Sequence, residues 1–232
     1  MKLLSENAKT VKSEKLGWKN MILQLMPHTN NSLGKNLCPM ANGCQDTCLV
    51  YTGRGMFPVV MNARKTRTEF FIKDKVGFVE QLMVEIDQLN KKHPKLCIRL
   101  NGFSDIQWEN IHVNGKNIFE HFSHVNTDNL MWYDYSKIPK RMSLNIPNYH
   151  LTFSGSNNNW WECEQILLDG KNVALVFEKE LPKTFNSWVV IDGTEHDLRF
   201  LDGSFVVTGL TYKSVKNNDN KKLLRESKLV LG

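Results

Sequence analysis

Three cysteines lie within one short segment near the start of the chain. Cys38, Cys44 and Cys48 are spaced C-x5-C-x3-C, all inside eleven residues. A disulfide would join two of them and leave the third over, and a reducing compartment disfavours disulfides. Thiolates this close together can instead hold an iron–sulfur cluster or a zinc ion. We therefore interpret the three cysteines as metal ligands.

The spacing of these cysteines favours a [4Fe–4S] cluster over zinc. Structural zinc takes four protein ligands, commonly as two separated pairs, and the chain has no C-x2-C pair to match the segment. A cubic cluster can be held at three corners by one loop, which leaves its fourth iron for another residue, a water or a substrate. His28, Cys97 or Asp46 could supply the fourth ligand. Zinc and unligated structural cysteines stay open as alternatives.

A short glycine-rich segment follows the last of the three cysteines. Gly53 and Gly55 permit close approach of the backbone, and Arg54 between them brings a positive charge. This combination can receive a carboxylate, a phosphate or the negative charge of a cluster. We expect Arg54 to take part in cofactor binding, whereas Arg64 and the basic residues beside it are typical of a solvated helix face.

Polar residues follow several short apolar runs that we interpret as buried strands. They are Asn101, Ser104, Asp105 and Glu109 after one run, Asp134 after the next, then Ser154 and finally His196. The carboxyl ends of parallel strands meet at one edge of a sheet, where α/β enzymes place their chemistry. We predict cofactor-binding roles for Ser154 and His28. We predict catalytic roles for Asn101, Ser104, Asp105, Glu109, Asp134 and His196. The alternatives are that these residues only begin turns, and that Asp197 and Arg199 brace the turn around His196.

The elements that must position these residues alternate between strands and helices. Strands are predicted at 22–26, 97–101, 130–134, 149–154, 173–178, 188–192 and 205–211, and helices at 58–73, 75–92, 117–122 and 160–168. This alternation predicts a single α/β domain whose mostly parallel sheet closes in part, as an incomplete TIM-like barrel with an N-terminal cysteine loop. The last two strands could instead form an antiparallel hairpin through Asp202 and Gly203.

Composition and charge exclude several other classes of protein. The 232 residues are 41% hydrophobic and 23% charged, as in an ordinary globular protein. The sequence has neither an apolar run long enough for a membrane span nor a signal peptide. Residues 1–20 carry five lysines and two glutamates (+3), and residues 213–228 carry six basic and two acidic residues (+4). We therefore expect a cytoplasmic protein with a mobile basic tail at about 214–232, whose termini could steer it to nucleic acid.

Several of these motifs together resemble the gene product 88 family of bacteriophages. The resembling stretches fall within residues 5–213 and include 27–29, the cysteine segment, 53–55, 99–109, 133–135, 149–154 and 192–200. This resemblance implies a viral protein made in the cytoplasm of an infected bacterium, and it implies no particular reaction.

The cysteine segment is also similar to that of radical S-adenosylmethionine enzymes, which place three cysteines near the first strand of a partial parallel barrel. The spacing in those enzymes is C-x3-C-x2-C, which differs from the C-x5-C-x3-C of this chain. This second resemblance implies that S-adenosylmethionine could be a further cofactor.

Two hypotheses of function follow. In the first, the protein is an iron–sulfur oxidoreductase or radical-type enzyme whose cluster faces a polar pocket and acts on an unknown small molecule or electron donor. In the second, it is a non-catalytic binding protein, stapled by zinc or a cluster, that acts in phage replication or host takeover.

Overall fold

The structure is a computed structural model that describes residues 1–41, 44–51, 53–178, 180–212 and 230–231. The contacts within the chain divide it into two compact units. The first comprises Met1–Pro39, Pro58–Asp134 and Asn145–His150, and the second comprises Met40–Phe57, Tyr135–Leu144 and Leu151–Gly232. The single domain stays a prediction. Nearly all of the predicted basic tail lies outside the described residues.

The first unit is built on three consecutive parallel strands with a short antiparallel strand at their edge. The strands are β1 (Leu4–Ser5), β2 (Lys19–Leu23), β3 (Leu96–Arg99) and β4 (Leu130–Ser136), whose last two residues count with the second unit. They pair in the order β1-β2-β3-β4, and only the β1–β2 pair is antiparallel.

Strand β2 begins three residues before the predicted start at Ile22. Its first two residues are polar, but both have partners that let them lie in a strand. Lys19 Nζ lies 2.6 Å from a carboxylate oxygen of Glu6. The buried amide of Asn20 donates to Ser13 Oγ and accepts from the Tyr133 hydroxyl. The apolar pattern alone could not indicate these partners.

Two long helices cover this unit with the bounds that the sequence predicts. They are α2 (Pro58–Lys73) and α3 (Lys75–Lys92), and the shorter helices are α1 (Ala8–Lys12) and α4 (Ile118–His121). Proline is tolerated in the first turn of α2. The Asp74 side chain accepts the backbone N–H of Gly77 at 2.9 Å and so begins α3. The apolar face of α3, which includes Phe78, Leu82 and Ile86, is buried in the first hydrophobic core.

The described part of the second unit contains a mostly parallel series of strands and one α-helix. The strands are β5 (Tyr149–Ser154), which begins with two residues of the first unit, β6 (Val173–Phe177), β7 (Thr184–Phe185), β8 (Trp188–Asp192), β9 (Val207–Thr211) and β10 (Val230–Leu231). The pairing order is β5-β6-β9-β8-β7, β10 also pairs with β6, and only β7–β8 is antiparallel. Helix α5 (Trp160–Leu168) packs on a second core that includes Cys163, Leu167 and Leu175.

The alternative prediction of an antiparallel hairpin through Asp202 and Gly203 is wrong. Strands β8 and β9 are parallel, with Ile191 opposite Thr208. The residues between them form a crossover that contains a 3₁₀ helix at Arg199–Leu201. This connection is long enough to return the chain to the same end of the sheet, as parallel strands require.

The fold is α/β with mostly parallel strands, as predicted, but a barrel is not confirmed. Each series of strands ends at a two-residue antiparallel edge strand, β1 in the first unit and β7 in the second. Within the described parts of the chain, no pairing joins the two edges of either series. None of the helices described here combines the length and the apolar composition that a membrane crossing requires.

Candidate functional site

Polar residues that follow β3 or lie in β4 and β5 form a hydrogen-bonded cluster in the first unit. Asp134 Oδ1 accepts the backbone N–H of Asn101 at 2.7 Å, and its Oδ2 accepts from the Asn101 amide at 3.3 Å. The Tyr149 hydroxyl also donates to Asp134 Oδ2, at 3.0 Å. Asn101 and Asp134 are 2% and 1% exposed. We call Asn101, Ser104, Trp108, Asp134 and Tyr149 the strand-end cluster.

The side chain of Asn101 folds the loop that follows β3. Its Oδ1 accepts from the Ser104 hydroxyl and the Ile106 backbone N–H, each at 2.9 Å, and from Trp108 Nε1 at 3.3 Å. Its amide nitrogen donates to the Ile106 carbonyl at 3.0 Å. One carboxamide therefore closes a loop of seven residues around itself, as asparagine side chains do in turns. The cluster brings together three of the predicted catalytic residues, which are Asn101, Ser104 and Asp134.

The first cysteine of the segment lies against this same loop. The Asp105 backbone N–H donates to the Leu37 carbonyl at 2.8 Å, and Cys38 Sγ lies 3.3 Å from the Phe103 carbonyl oxygen. The Cys38 thiol is half-buried, and the backbone N–H of this residue donates to Asn36 Oδ1 at 2.8 Å. Cys38 therefore lies beside the loop that the Asn101 side chain folds, within this unit.

Polar side chains on the inner face of α2 hold the segment that leads from β2 toward Cys38. Thr68 Oγ1 accepts the Met26 backbone N–H at 2.8 Å. The Arg64 guanidinium donates to Gln24 Oε1 at 3.2 and 3.3 Å and lies 4.5 Å from the centre of the Phe103 ring. Arg64 is only 4% exposed, so the expectation of a solvated position is wrong. Its spacing of four and seven residues from Thr68 and the core residue Phe71 was the signal in the sequence.

A half-buried carboxylate on α2 fastens the loop between β2 and Cys38. Glu69 accepts the Ser32 backbone N–H at 2.7 Å and also a short hydrogen bond from the Ser32 hydroxyl. These hydrogen bonds, and the ammonium of Lys73, lower the pKa of Glu69. His28 lies in this loop with φ of 53°, and its carbonyl accepts the Leu37 backbone N–H.

The other two cysteines of the segment belong to the second unit. Cys44 is half-buried and begins a 3₁₀ helix that ends at Thr47, and Cys48 is buried. Two further 3₁₀ helices follow, Leu49–Tyr51 and Gly53–Met56. The side chains of Arg54 and Asp46 lie outside what the structure describes. Among the described residues, no group of three or more His, Cys, Asp or Glu side chains is arranged to hold a metal ion.

The remaining cysteines are packed as small hydrophobic residues. Cys97 and Cys163 are both 0% exposed. Burial raises the pKa of the Cys163 thiol to about 11, so this thiol is protonated at neutral pH. Cys97 Sγ lies 3.5 Å from the Lys19 carbonyl oxygen, inside the first unit.

The turn around His196 is held by a fully buried arginine. Arg199 Nη2 donates to the His196 carbonyl at 2.5 Å, and Nη1 lies 3.1 Å from Asp202 Oδ2. The Leu198 backbone N–H donates to His196 Nδ1 at 3.2 Å, which places the proton of the neutral ring on Nε2. The Arg199 side chain thus contacts His196 and Asp202, and the Arg199 backbone N–H donates to the Asp197 carbonyl at 2.8 Å. The brace proposed for this turn involves Arg199, as the alternative interpretation expected.

Ser154, Glu109 and Asp105, which were also predicted as site residues, make backbone hydrogen bonds. The Ser154 carbonyl accepts from Lys137 Nζ at 3.0 Å in the second unit. Glu109 lies in a 3₁₀ helix at Trp108–Asn110, and its carbonyl accepts from the Asn117 amide. Asp105 is buried at the loop that contacts Leu37. Trp108 and Tyr149 could not be predicted from the sequence as members of the site, because their roles depend on contacts between separate elements.

The comparisons with known proteins show the family to which the chain belongs. No curated protein and no solved structure matches the chain, and the similarity to radical S-adenosylmethionine enzymes is not supported. A family model described as gene product 88 matches residues 1–226 of the 232. The chain therefore belongs to the bacteriophage gene product 88 family.

Proposed function

We propose that this protein binds a [4Fe–4S] cluster through Cys38, Cys44 and Cys48 and acts as a redox or radical-type enzyme in the cytoplasm of the infected host. The observation that carries the proposal is the position of Cys38. Its sulfur lies 3.3 Å from the Phe103 carbonyl, in the loop that the strand-end cluster folds. A polar, buried cluster beside a half-buried thiol is the environment that a cofactor site needs.

The chemistry of the donor set fits an iron–sulfur cluster. Three thiols within eleven residues are soft ligands, which select iron–sulfur clusters, zinc or copper(I) over hard cations. A metal site is seldom formed before its metal binds, because binding and local folding are coupled. We therefore expect the segment from Cys38 to Cys48 to gather its three sulfurs when the cluster binds. The irregular 3₁₀ turns of this segment suit such a rearrangement.

The residues of the chain would position and shield the site. When bound, a cluster with an open iron supplies electron transfer or Lewis-acid activation of a substrate. Asn101 and Asp134 hold the loop that presents the Phe103 carbonyl and supports Cys38. The Arg64 guanidinium lies over the Phe103 ring and places a buried positive charge beside this loop.

Metal analysis of protein purified without oxygen tests the proposal. We expect brown protein that contains iron and acid-labile sulfide and that gives a paramagnetic signal after reduction. Cys38→Ser, Cys44→Ser and Cys48→Ser should each lose most of the iron. Cys163→Ala and Cys97→Ala are matched controls, because both thiols are buried within packed cores, and they should retain it.

Two results would contradict this function. Colourless protein with one zinc per chain would favour the non-catalytic, zinc-stapled binding protein instead. Equal iron loss in the control variants would mean that the three cysteines have no special role. Addition of S-adenosylmethionine to the reduced protein separates the two enzyme types, because only the radical type should show a changed paramagnetic signal.

A further inference from the structure

A groove of about 400 Å³ lies on the surface of the second unit, apart from the cysteine segment. One side is the 3₁₀ helix Pro139–Ser143, and the other is the outer face of α5 together with Asp169 and Lys171. The volume lies in the range of ligand sites, about 300–1,000 Å³. The lining residues of α5 and its C-cap run from Trp161 to Asp169, which is about 12 Å at the helical rise per residue.

The floor and one wall of this groove are apolar. Met142 and Ile166 are each 7% exposed and form part of the second core, and Pro139 lies beside them. Trp161 is 69% exposed, although tryptophan is among the residues that contribute most to binding interfaces. An aromatic ring this exposed, next to buried apolar side chains, offers a hydrophobic contact surface to another molecule.

The rim of the groove is acidic in a chain that is otherwise basic. Residues 160–169 carry three carboxylates and no lysine or arginine, whereas the whole chain has a net charge of +6. Two of these carboxylates, Glu162 and Asp169, line the groove. Neither takes part in a salt bridge within the described residues. Lys171 at one end leaves the lining with two negative charges and one positive charge.

We propose that this groove binds a short extended segment of a partner protein in which an apolar residue lies beside lysine or arginine. The apolar residue would contact Met142 and Ile166, and the cation would lie over the Trp161 ring, close to Glu162. A length of about 12 Å corresponds to about four residues of extended chain. The opposite charges of rim and segment supply the complementarity. This proposal does not depend on the iron–sulfur cluster.

Binding of a labelled synthetic peptide tests the proposal. The probe is an eight-residue fluorescein-labelled peptide that alternates leucine and arginine, measured by fluorescence anisotropy at low salt with the full chain. We expect saturable binding that weakens as salt is added. Trp161→Ala should weaken it at least tenfold, and the double variant Glu162→Gln, Asp169→Asn should do so by a similar factor.

A matched control lies on the same helix. Glu164 is an exposed carboxylate of α5 that does not line the groove, so Glu164→Gln should leave the affinity within twofold of wild type. Unchanged thermal unfolding of each variant would show that the groove variants are folded. The proposal is overturned if the peptide does not bind, if Glu164→Gln weakens binding as much as the groove variants, or if a glutamate peptide binds equally well. Competition by spermine at the same affinity would also overturn it, since charge alone would then suffice.

Discussion

The polar residues of the strand-end cluster are buried, apart from the half-buried Tyr149. Asn101 and Asp134 were selected from the sequence as catalytic because each follows an apolar strand. In the structure they hydrogen-bond to each other and to Tyr149, Ser104 and Trp108. Buried polar groups are costly unless they are paired. We therefore expect a change in any of them to reduce stability first, and any effect on activity to come through the loop that supports Cys38.

The hydroxyl of Tyr149 is the simplest group of this cluster to remove. Tyr149→Phe deletes one hydrogen bond to the Asp134 carboxylate and leaves the ring stacked on Phe119. A hydrogen bond to a charged group is worth about 1.5–3 kcal/mol, so the free energy of unfolding should fall by about that amount in urea titrations. Tyr51→Phe, at an exposed position, is the control and should change it little. Equal effects of the two variants would mean that Asp134 does not need this partner.

The contrast between Arg64 and its neighbour Lys65 gives a second residue-scale prediction. Arg64 is buried and donates to Gln24, whereas Lys65 is exposed on the same helix. Arg64→Met leaves the Gln24 oxygen with fewer donors in a buried place, which should cost about 2–3 kcal/mol. Lys65→Met should stay within about 0.5 kcal/mol of wild type. Thermal or urea unfolding distinguishes the two, and similar losses would contradict the buried position of Arg64.

At the scale of elements, local signals were sufficient for the helices but not for the pairing of strands. Pro58, the cap at Asp74 and the three-to-four-residue spacing of apolar residues predicted both bounds of α2 and of α3. The direction of β9 relative to β8 depends on the crossover between them, and no local pattern in Asp202 and Gly203 separates a hairpin from a crossover. The start of β2 was missed because Lys19 and Asn20 are polar and their partners are distant in sequence.

The loop between β2 and Cys38 depends on one half-buried carboxylate. Glu69 accepts both Ser32 donors, and its pKa lies below the ordinary value of 4.5. The attachment should therefore be complete above that value and should weaken as pH falls through the lowered pKa. Glu69→Gln should release the loop at neutral pH, seen as faster amide hydrogen exchange at Ser32. Asp87→Asn on α3 is the control, and unchanged exchange in Glu69→Gln would contradict the role of this carboxylate.

At the scale of the whole molecule, the five cysteines divide into classes by burial. Cys38 and Cys44 are half-buried, Cys48 is buried, and Cys97 and Cys163 are completely buried. None of the five forms a disulfide in the described structure. Thiolates rather than thiols react with disulfide reagents, and access limits the rate. We expect two thiols of metal-free protein to react rapidly with an aromatic disulfide reagent, and all five after denaturation.

The same titration of thiols also reports whether a cluster is bound. Protein that retains a cluster should show none of these rapid thiols until a chelator removes the iron. Five rapid thiols in the native state would contradict the burial of Cys97 and Cys163. Fewer than five after complete denaturation would indicate a disulfide, which the described structure does not contain.

The fold should protect the Asn-Gly bond at residues 101 and 102 from the deamidation that such bonds undergo with time. Such bonds deamidate when the glycine nitrogen attacks the asparagine side chain, and the reaction needs both groups to move freely. Here the Gly102 N–H is tied to the Leu23 carbonyl at 3.0 Å, and the Asn101 carboxamide is held on both sides. Folded chains should therefore keep this asparagine for long periods, whereas the exposed Asn114-Gly115 bond should convert sooner than Asn101-Gly102. Peptide masses after incubation at mildly alkaline pH would record the difference. A molecule that stays unfolded would acquire an aspartate at position 101, lose a hydrogen-bond donor to Asp134 and refold poorly. The protein should therefore refold after a brief unfolding but not after a long one.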